Sequence, residues 1–404
     1  YGKEQQNNMA NYNFDEIIDR TGTDSMKYDA GRVYNPDLPE KHIPMWVADM
    51  DFACPQPMLD AMHERLNRRI LGYANYTSTL GDNYFEAVCG WLKRRHNIDA
   101  KKENISFAEG VINAAYALVD CMTKPGESVM VFTPSYQYIY DPIWKLGRNA
   151  IKMPLINTDG YYTIDFDAFE KAAARPDVTM LMFCSPHNPS GRVWTEEELR
   201  RIGDICLANG VRIASDEIHC DLTRKASHMV SITSLYPQDP RIVTMMSTSK
   251  TFNCAGNHHS YIIVYDQEIK EILDDNNYCG TMNPLSVEAV IAAYTKCEDW
   301  LDELRDYIDA NFAYLDEFIK ENLPRAKFRI AEGTYLAWID LSGYVSDYEG
   351  GMKELETRIS KAGLYLEYAG EFVENDDGFA RMNMACPRST VQKACEILKS
   401  VLEG

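Results

Sequence analysis

Residues 178–219 read VTMLMFCSPHNPSGRVWTEEELRRIGDICLANGVRIASDEIH. Val178–Phe183 is apolar almost throughout and runs into the irregular, Pro- and Gly-containing CSPHNPSG, the pattern of a strand buried on both faces and stopped by a turn. Thr195 with Glu198 three residues on is a capping box, so a helix opens there and runs through DICLAN. Val211–Ser215 is a second apolar run, and it ends in DEIH. Strands apolar on both faces, alternating with helices, predict an α/β fold with a mostly parallel sheet covered by helices on both sides. Ligands of such sheets bind beyond the carboxyl ends of the strands. The polar clusters around Asn188 and Asp216 fall at those ends.

The same rhythm extends in both directions. Ser128–Phe132 precedes TPSYQY, and Arg241–Met246 precedes STSK. Apolar stripes at helical spacing run through Met58, Met62, Leu66 and Ile70, through Tyr84, Val88 and Trp91, and through Ile112, Tyr116, Val119 and Met122. Beyond about residue 296 the texture changes. Trp300, Leu304, Ile308, Leu315 and Ile319 mark a long helix, GTYLAWIDL and FARMNM read as strands, and Val391, Ala394, Leu398 and Val401 mark a closing helix. The expected organisation is an N-terminal segment (1–55) joining a smaller α+β domain (297–404), with a large domain over 56–296. The opening YGKEQQNNMANYN is polar and reads as a frayed start, with Met9 as the natural beginning of the chain.

Bulk properties narrow the function classes. The 404 residues carry a formal net charge of −20, and such an acidic surface repels nucleic-acid backbones and anionic lipids. A local nest of amides and hydroxyls still binds an anionic cofactor. The 11 cysteines are scattered, without a CxxC pair. Cys184, Cys220 and Cys254 lie in or beside apolar stretches, as reduced, partly buried thiols do. No stretch is long and apolar enough to span a bilayer, and the polar start is not signal-like. A cytoplasmic enzyme of small molecules is the expectation.

Ser247-Thr248-Ser249-Lys250 follows a strand. A partly desolvated amine beside neutral hydroxyls suits a Schiff-base lysine with a phosphate cup next to it; a surface lysine on a polar loop, or a serine nucleophile with a lysine base, are the other readings. Asp216 suits the protonated ring nitrogen of a cofactor, or a helix cap. His219 suits a donor to a ring oxygen, or a satisfied loop histidine. Asn188 offers an amide for the same oxygen, or belongs to a rigid turn. Tyr136 presents a flat face for ring stacking, or is simply a core or surface tyrosine. Gly110-Val111-Ile112 opens a helix whose first amides favour phosphate. Arg381 offers a planar fork for a carboxylate, or is an exposed strand arginine, with Arg388 the weaker candidate. His258 and His259 are adjacent and, on extended chain, point apart, so no metal site is expected from them.

With SPHNPSGRVWTEEEL, SDEIH, STSKTFNCAG and ARMNMACPR in this order, the chain resembles the class I/II aminotransferase family of pyridoxal 5′-phosphate (PLP) fold type I over nearly its whole length. The resemblance implies a large PLP domain with a mostly parallel, seven-stranded sheet between helices and a smaller α+β domain. It implies Lys250 as the Schiff-base residue, Asp216 on the ring nitrogen, Asn188 and His219 at the ring oxygen, and Tyr136 stacking. Ser247, Ser249, Val111 and Ile112 then serve the phosphate, and Arg381 with Asn188 the substrate carboxylate.

NFDEIIDRTGTDSMKYD, IPMWVADMDF and the later LGY are similar to the cystathionine β-lyase (C–S lyase) branch of MalY and PatB type. That likeness implies Ala48 in a loop near the substrate and a catalytic Tyr73 reaching the phosphate of a neighbouring subunit, hence a homodimer with shared sites. Eight residues after Lys250, where aminotransferases usually carry a phosphate-binding arginine, stands His258. The implied activity is a PLP-dependent C–S β-lyase releasing pyruvate, ammonia and a thiol from cystathionine or a related cysteine thioether. An aminotransferase of an amino acid is the alternative, and a cofactor-binding regulatory protein is a rival of another class.

Overall fold

The computed structural model describes residues 12–74, 81–275, 279–374 and 378–404; most of the polar opening and Met9 lie outside the described residues. Seven strands form the large sheet: β1 (Ile105–Ala108), β2 (Ser128–Thr133), β3 (Asn149–Pro154), β4 (Val178–Cys184), β5 (Arg212–Asp216), β6 (Ile242–Met246) and β7 (Ser260–Ile263). Their order is β1-β7-β6-β5-β4-β2-β3. Only β7 runs against its neighbours, pairing antiparallel with β6 and β1; every other pairing is parallel.

Alternation explains why the central strands are apolar throughout. Met180 and Met182 of β4 join a core with Val129, Val131, Ala214, Val243 and Met245 on one side of the sheet. Leu181 and Phe183 join Met130, Phe132 and Ile213 on the other. Helix α3 (Val111–Met122) covers the first side, and α4 (Glu196–Ala208) covers the second through Leu199, Ile202 and Cys206. The capping box that opens α4 is formed: Thr195 Oγ1 accepts Glu198 N at 3.1 Å and Glu198 Oε2 accepts Thr195 N at 2.9 Å.

Two predicted stripes differ from the buried faces. In α1 (Gln56–Asn67) Met58 is buried and Met62 packs partly on the core, but Leu66 is exposed and Ile70 lies beyond the helix. Arg69 adopts a left-handed φ of 63°, which a continuing right-handed helix excludes. In α3 the buried face runs through Val111, Ala114, Ala115, Leu118, Val119 and Met122, leaving Ile112 exposed and Tyr116 half-buried. The middle stripe is met, with Tyr84, Val88 and Trp91 of α2 (Asp82–His96) fully buried.

Past α5 (Pro284–Lys296) comes the long helix α6 (Glu298–Asn322), which buries all five residues of its predicted stripe. An antiparallel sheet follows, from β8 (Lys327–Phe328), β9 (Leu336–Asp340), β10 (Glu367–Tyr368) and β11 (Phe379–Asn383), in the order β8-β9-β11-β10. It shares a core with α6 and the closing helix α7 (Arg388–Leu402). The N-terminal segment joins this part: Ile43–Pro44 pairs parallel with Leu364–Tyr365, and Phe14 packs edge-on against Trp300 and Phe52.

Candidate active site

A cavity of about 400 Å³ opens where the parallel strands end. β1 and the start of α3 supply Gly110, Val111 and Ile112, the turn after β2 supplies Tyr136, and the turn after β4 supplies Asn188. β5 ends in Asp216 with His219 just beyond, and the loop after β6 supplies Ser249 and Lys250. Ala48 comes from the N-terminal segment. Residues scattered over two hundred positions thus border one space, at the edge the strand pattern indicates.

Lys250 sits in the four-residue helix Thr248–Thr251, which Ser247 caps. Its Nζ donates to the Ala48 carbonyl at 2.6 Å. Loss of bulk water pushes the amine down to about 8, helped by Arg381 and opposed by Asp49 and Asp216. Asp216 is buried, with Oδ1 accepting Ile218 N at 3.1 Å, and burial pushes its carboxyl up to about 6. Burial likewise holds the His219 imidazole well below its ordinary value, so the ring is neutral; its Nδ1 is buried without a partner among the described residues. Tyr136 pairs in a short antiparallel ladder with Phe372, and burial raises its phenol to about 12.

Four candidate residues do not border the cavity. Ser247 is buried behind Ser249: its Oγ lies 2.8 Å from Ser249 Oγ and 2.6 Å from the His259 carbonyl, so it orients the serine that does face the space. Arg381 is buried in β11 rather than exposed. Its Nη1 donates to Asn188 Oδ1 at 3.0 Å and its Nη2 to the Trp46 carbonyl at 3.0 Å, and Glu367, its cross-strand neighbour, pairs with Nη2. Burial lowers its guanidinium to about 10. Tyr73 is fully exposed on this chain. Arg388 is occupied structurally, donating from Nε to Asn311 Oδ1 at 2.7 Å at the start of α7.

IPMWVADMDF is stapled at nearly every carbonyl. Arg381 takes Trp46 O, Asn383 Nδ2 takes Val47 O (2.8 Å) and Asp49 O (2.7 Å), and Tyr335 OH joins Lys250 at Ala48 O (2.9 Å). Lys27 Nζ takes Asp49 O and Asp51 Oδ2 at 2.9 and 2.8 Å, and Asn253 Nδ2 takes Phe52 O at 2.7 Å. A chain with so many of its acceptors engaged keeps one conformation beside the cavity. Sequence reading found the segment but not its tethers. Lys27, Asn253 and Asn383 do lie inside the quoted motifs DSMKYD, KTFN and ARMNM; Tyr335 is in GTYLAWIDL, where an edge-on contact with His219 was not foreseeable.

Glu109, His258 and His259 also border the cavity. Elsewhere His96, Cys220 and Asp221 bring three potential ligand atoms within 4.8 Å of one another. They form a hydrogen-bonded cluster in which Asp221 accepts Thr251 Oγ1 at 3.0 Å and lies 2.9 Å from His96 Nε2.

A wide parallel sheet with a lysine, an aspartate and an asparagine converging at its carboxyl edge is the architecture of the class I and II aminotransferases. The chain belongs to that family, whose model matches residues 43–398. Within it, the chain is 38% identical over 397 residues to cystathionine β-lyase PatB of Bacillus subtilis, covering 96% of this chain and 100% of that protein. Protein MalY of Escherichia coli is 29% identical, with 95% and 96% of the two chains covered. The PLP-bound C–S lyase from Staphylococcus hominis superposes with a TM-score of 0.91 at 40% identity, covering 98% of this chain and 99% of the other. The expected family and branch are both met.

Proposed function

We propose that this chain is a PLP-dependent C–S β-lyase that converts cystathionine or a related cysteine thioether, with one water, to pyruvate, ammonia and a thiol. The observation that carries the reading is the meeting of the Lys250 amine, the Asp216 carboxylate and the Asn188 amide in one cavity, in a chain that matches C–S lyases end to end. The cavity's chemistry fits the cofactor. Asp216 is a buried carboxylate with no cation bonded to it among the described residues, a partner for a protonated ring nitrogen. His219 has a buried ring nitrogen without a partner. Gly110, at φ +88°, has open space where a Cβ would stand, which leaves the first amides of α3 approachable by phosphate.

PLP, when bound, supplies a protonated ring that accepts the electron pair left at the substrate α-carbon. Asp216 holds the proton on that ring. Tyr136 stacks on it, and Asn188 and His219 bind its oxygen. Ser249, oriented by Ser247, binds the phosphate with Val111 and Ile112. Asn188, with Arg381 bonded to its Oδ1 from behind, would bind the substrate carboxylate beside Ala48. Lys250, whose amine burial pushes down from its ordinary value, would remove the α-proton and then serve as an acid for the departing sulfur. An aminotransferase uses the same residues as far as proton removal. It would differ in where Lys250 delivers that proton, and a keto acid would then be needed for every turnover. The lyase is tested by incubating the pure protein with cystathionine alone: sustained pyruvate release supports it, and none contradicts it.

Tyr73, exposed next to exposed Ile70 and Leu71, supports a homodimer in which it serves the second copy's site. Inactive Tyr73→Phe and Lys250→Ala proteins, mixed and allowed to exchange subunits, should then recover about a quarter of wild-type activity. One site in each hybrid dimer is complete, and random mixing makes half the dimers hybrid. Mass spectrometry verifies the exchange; exchange without recovered activity contradicts a shared site. The reading divides the chain into 1–55, 56–296 and 297–404. Its setting is the cytoplasm, which suits eleven free thiols and a chain whose described residues include no helix long and apolar enough to cross a membrane.

A further inference from the structure

We propose that Arg20 is a positioning residue of this cavity: it holds the Asp49 carboxylate and so keeps it from pairing with the Lys250 amine, which stays free to react. The inference rests on the reading of Lys250 as the cofactor's lysine, and it gives a role to a residue of NFDEIIDRTGTDSMKYD that had none.

The backbone brings the carboxylate to the amine. Asp49 N donates to Val47 O at 2.8 Å, a three-residue turn centred on Ala48. The Ala48 carbonyl accepts Lys250 Nζ at 2.6 Å and Tyr335 OH at 2.9 Å. Asp49 is thus the residue after the carbonyl that holds the amine, and its charge acts on both of those groups. A carboxylate so placed would, left to itself, close an ion pair with a desolvated ammonium. None forms. Among the described residues Lys250 bonds to no carboxylate, and Asp49 Oδ2 lies instead 2.5 Å from Arg20 Nη2.

Arg20 is itself anchored. Its Nη1 donates to Met50 O at 3.0 Å and to Asp51 Oδ1 at 3.2 Å, and its guanidinium lies over the Tyr28 ring, 5.3 Å from the centroid. Lys27 completes the set, taking Asp51 Oδ2 at 2.8 Å and the Asp49 carbonyl at 2.9 Å. Arg20 and Lys27 thus neutralise Asp49 and Asp51 on one stretch of chain, and Lys250 is left outside that network. The other charged or titratable groups about the amine are Arg381 of β11 and Asp216 at the end of β5, which act on it in opposite senses. His219 just past β5 and Tyr335 just before β9 complete them. Burial pushes the amine down to about 8 against the pull of Asp49. A full ion pair with that carboxylate would reverse the shift and leave a protonated amine, which neither attacks a carbonyl nor accepts a proton.

The test reads the amine directly, in the full chain freed of cofactor. Trace acetylation by acetic anhydride is measured against pH and followed at Lys250 by peptide mass spectrometry. The wild type should show a midpoint at about pH 8. Arg20→Gln should raise it by about one to two pH units, the scale of a nearby opposite charge, and Asp49→Asn should lower it. Asparagine keeps an oxygen for Arg20, so that variant should fold even where Arg20→Gln does not. The double variant should show no rise above the wild type, since Arg20 acts through Asp49. A merely structural Arg20 would lower the melting temperature and leave the midpoint in place. That result overturns the inference, as does a midpoint unmoved by Asp49→Asn, or a rise in the double variant equal to that in Arg20→Gln. None of these outcomes depends on PLP; borohydride fixation of PLP to Lys250 in the wild type tests the cofactor reading separately.

Discussion

Lys250→Ala is expected to lower turnover by about 10⁴-fold or more. Among the described residues no second lysine borders the cavity. Lys27, the buried lysine among the described residues, is committed to Asp51 and the Asp49 carbonyl. The variant should fold, because among the described residues the amine bonds to Ala48 O, and that carbonyl keeps Tyr335 OH. Borohydride should fix the cofactor to the wild type at Lys250, found by peptide mass mapping, and should leave it removable from the variant. Cofactor covalently fixed in the variant would reassign the lysine.

Asp216→Asn should cost turnover on the order of 10²- to 10⁴-fold, because a neutral partner no longer holds a proton on the cofactor ring. The backbone bond from Ile218 can persist, since an asparagine Oδ1 accepts as the carboxylate does. Stability separates this from misfolding. Burial raises the Asp216 carboxyl from 3.8 to about 6 in the ligand-free fold. The folded state therefore binds this proton more tightly than the unfolded chain. That contribution is full below pH 3.8 and is lost as pH rises through about 6. Asparagine is uncharged throughout, so the ligand-free variant should melt no lower than the wild type at pH 8, by calorimetry. Near-normal turnover with PLP bound would remove Asp216 from this role.

What the sequence made legible follows from how each feature is encoded. The central strands were readable because both faces are buried, so β4 and β5 are apolar without alternation, and α4 because its cap is local. Lys250, Asp216 and Asn188 were readable as candidates because each lies at, or within four residues of, the end of such a strand. The stripe ending in Ile70 failed because a left-handed turn at Arg69 is invisible to periodicity. Partnerships across long separations were beyond reach. Arg381 meets Asn188 and Trp46, 193 and 335 positions away, and Tyr84 meets His259 across 175. Ser247 was assigned to the phosphate with Ser249; the bond to the His259 carbonyl that turns it inward depends on a neighbouring strand the motif does not contain.

The most direct test of the lyase itself is a count of thiol released per subunit. Purified enzyme loaded with PLP is given a large excess of cystathionine and no keto acid, and free thiol is followed with a colorimetric disulfide reagent while pyruvate is measured in parallel. A lyase in which Lys250 removes the α-proton and sulfur departs regenerates itself each cycle. Thiol and pyruvate should rise together, one to one, past many equivalents per subunit, and adding 2-oxoglutarate should change nothing. A halt at one equivalent of substrate consumed, with no thiol released and recovery only when 2-oxoglutarate or pyruvate is supplied, would contradict the lyase and make the chain an aminotransferase.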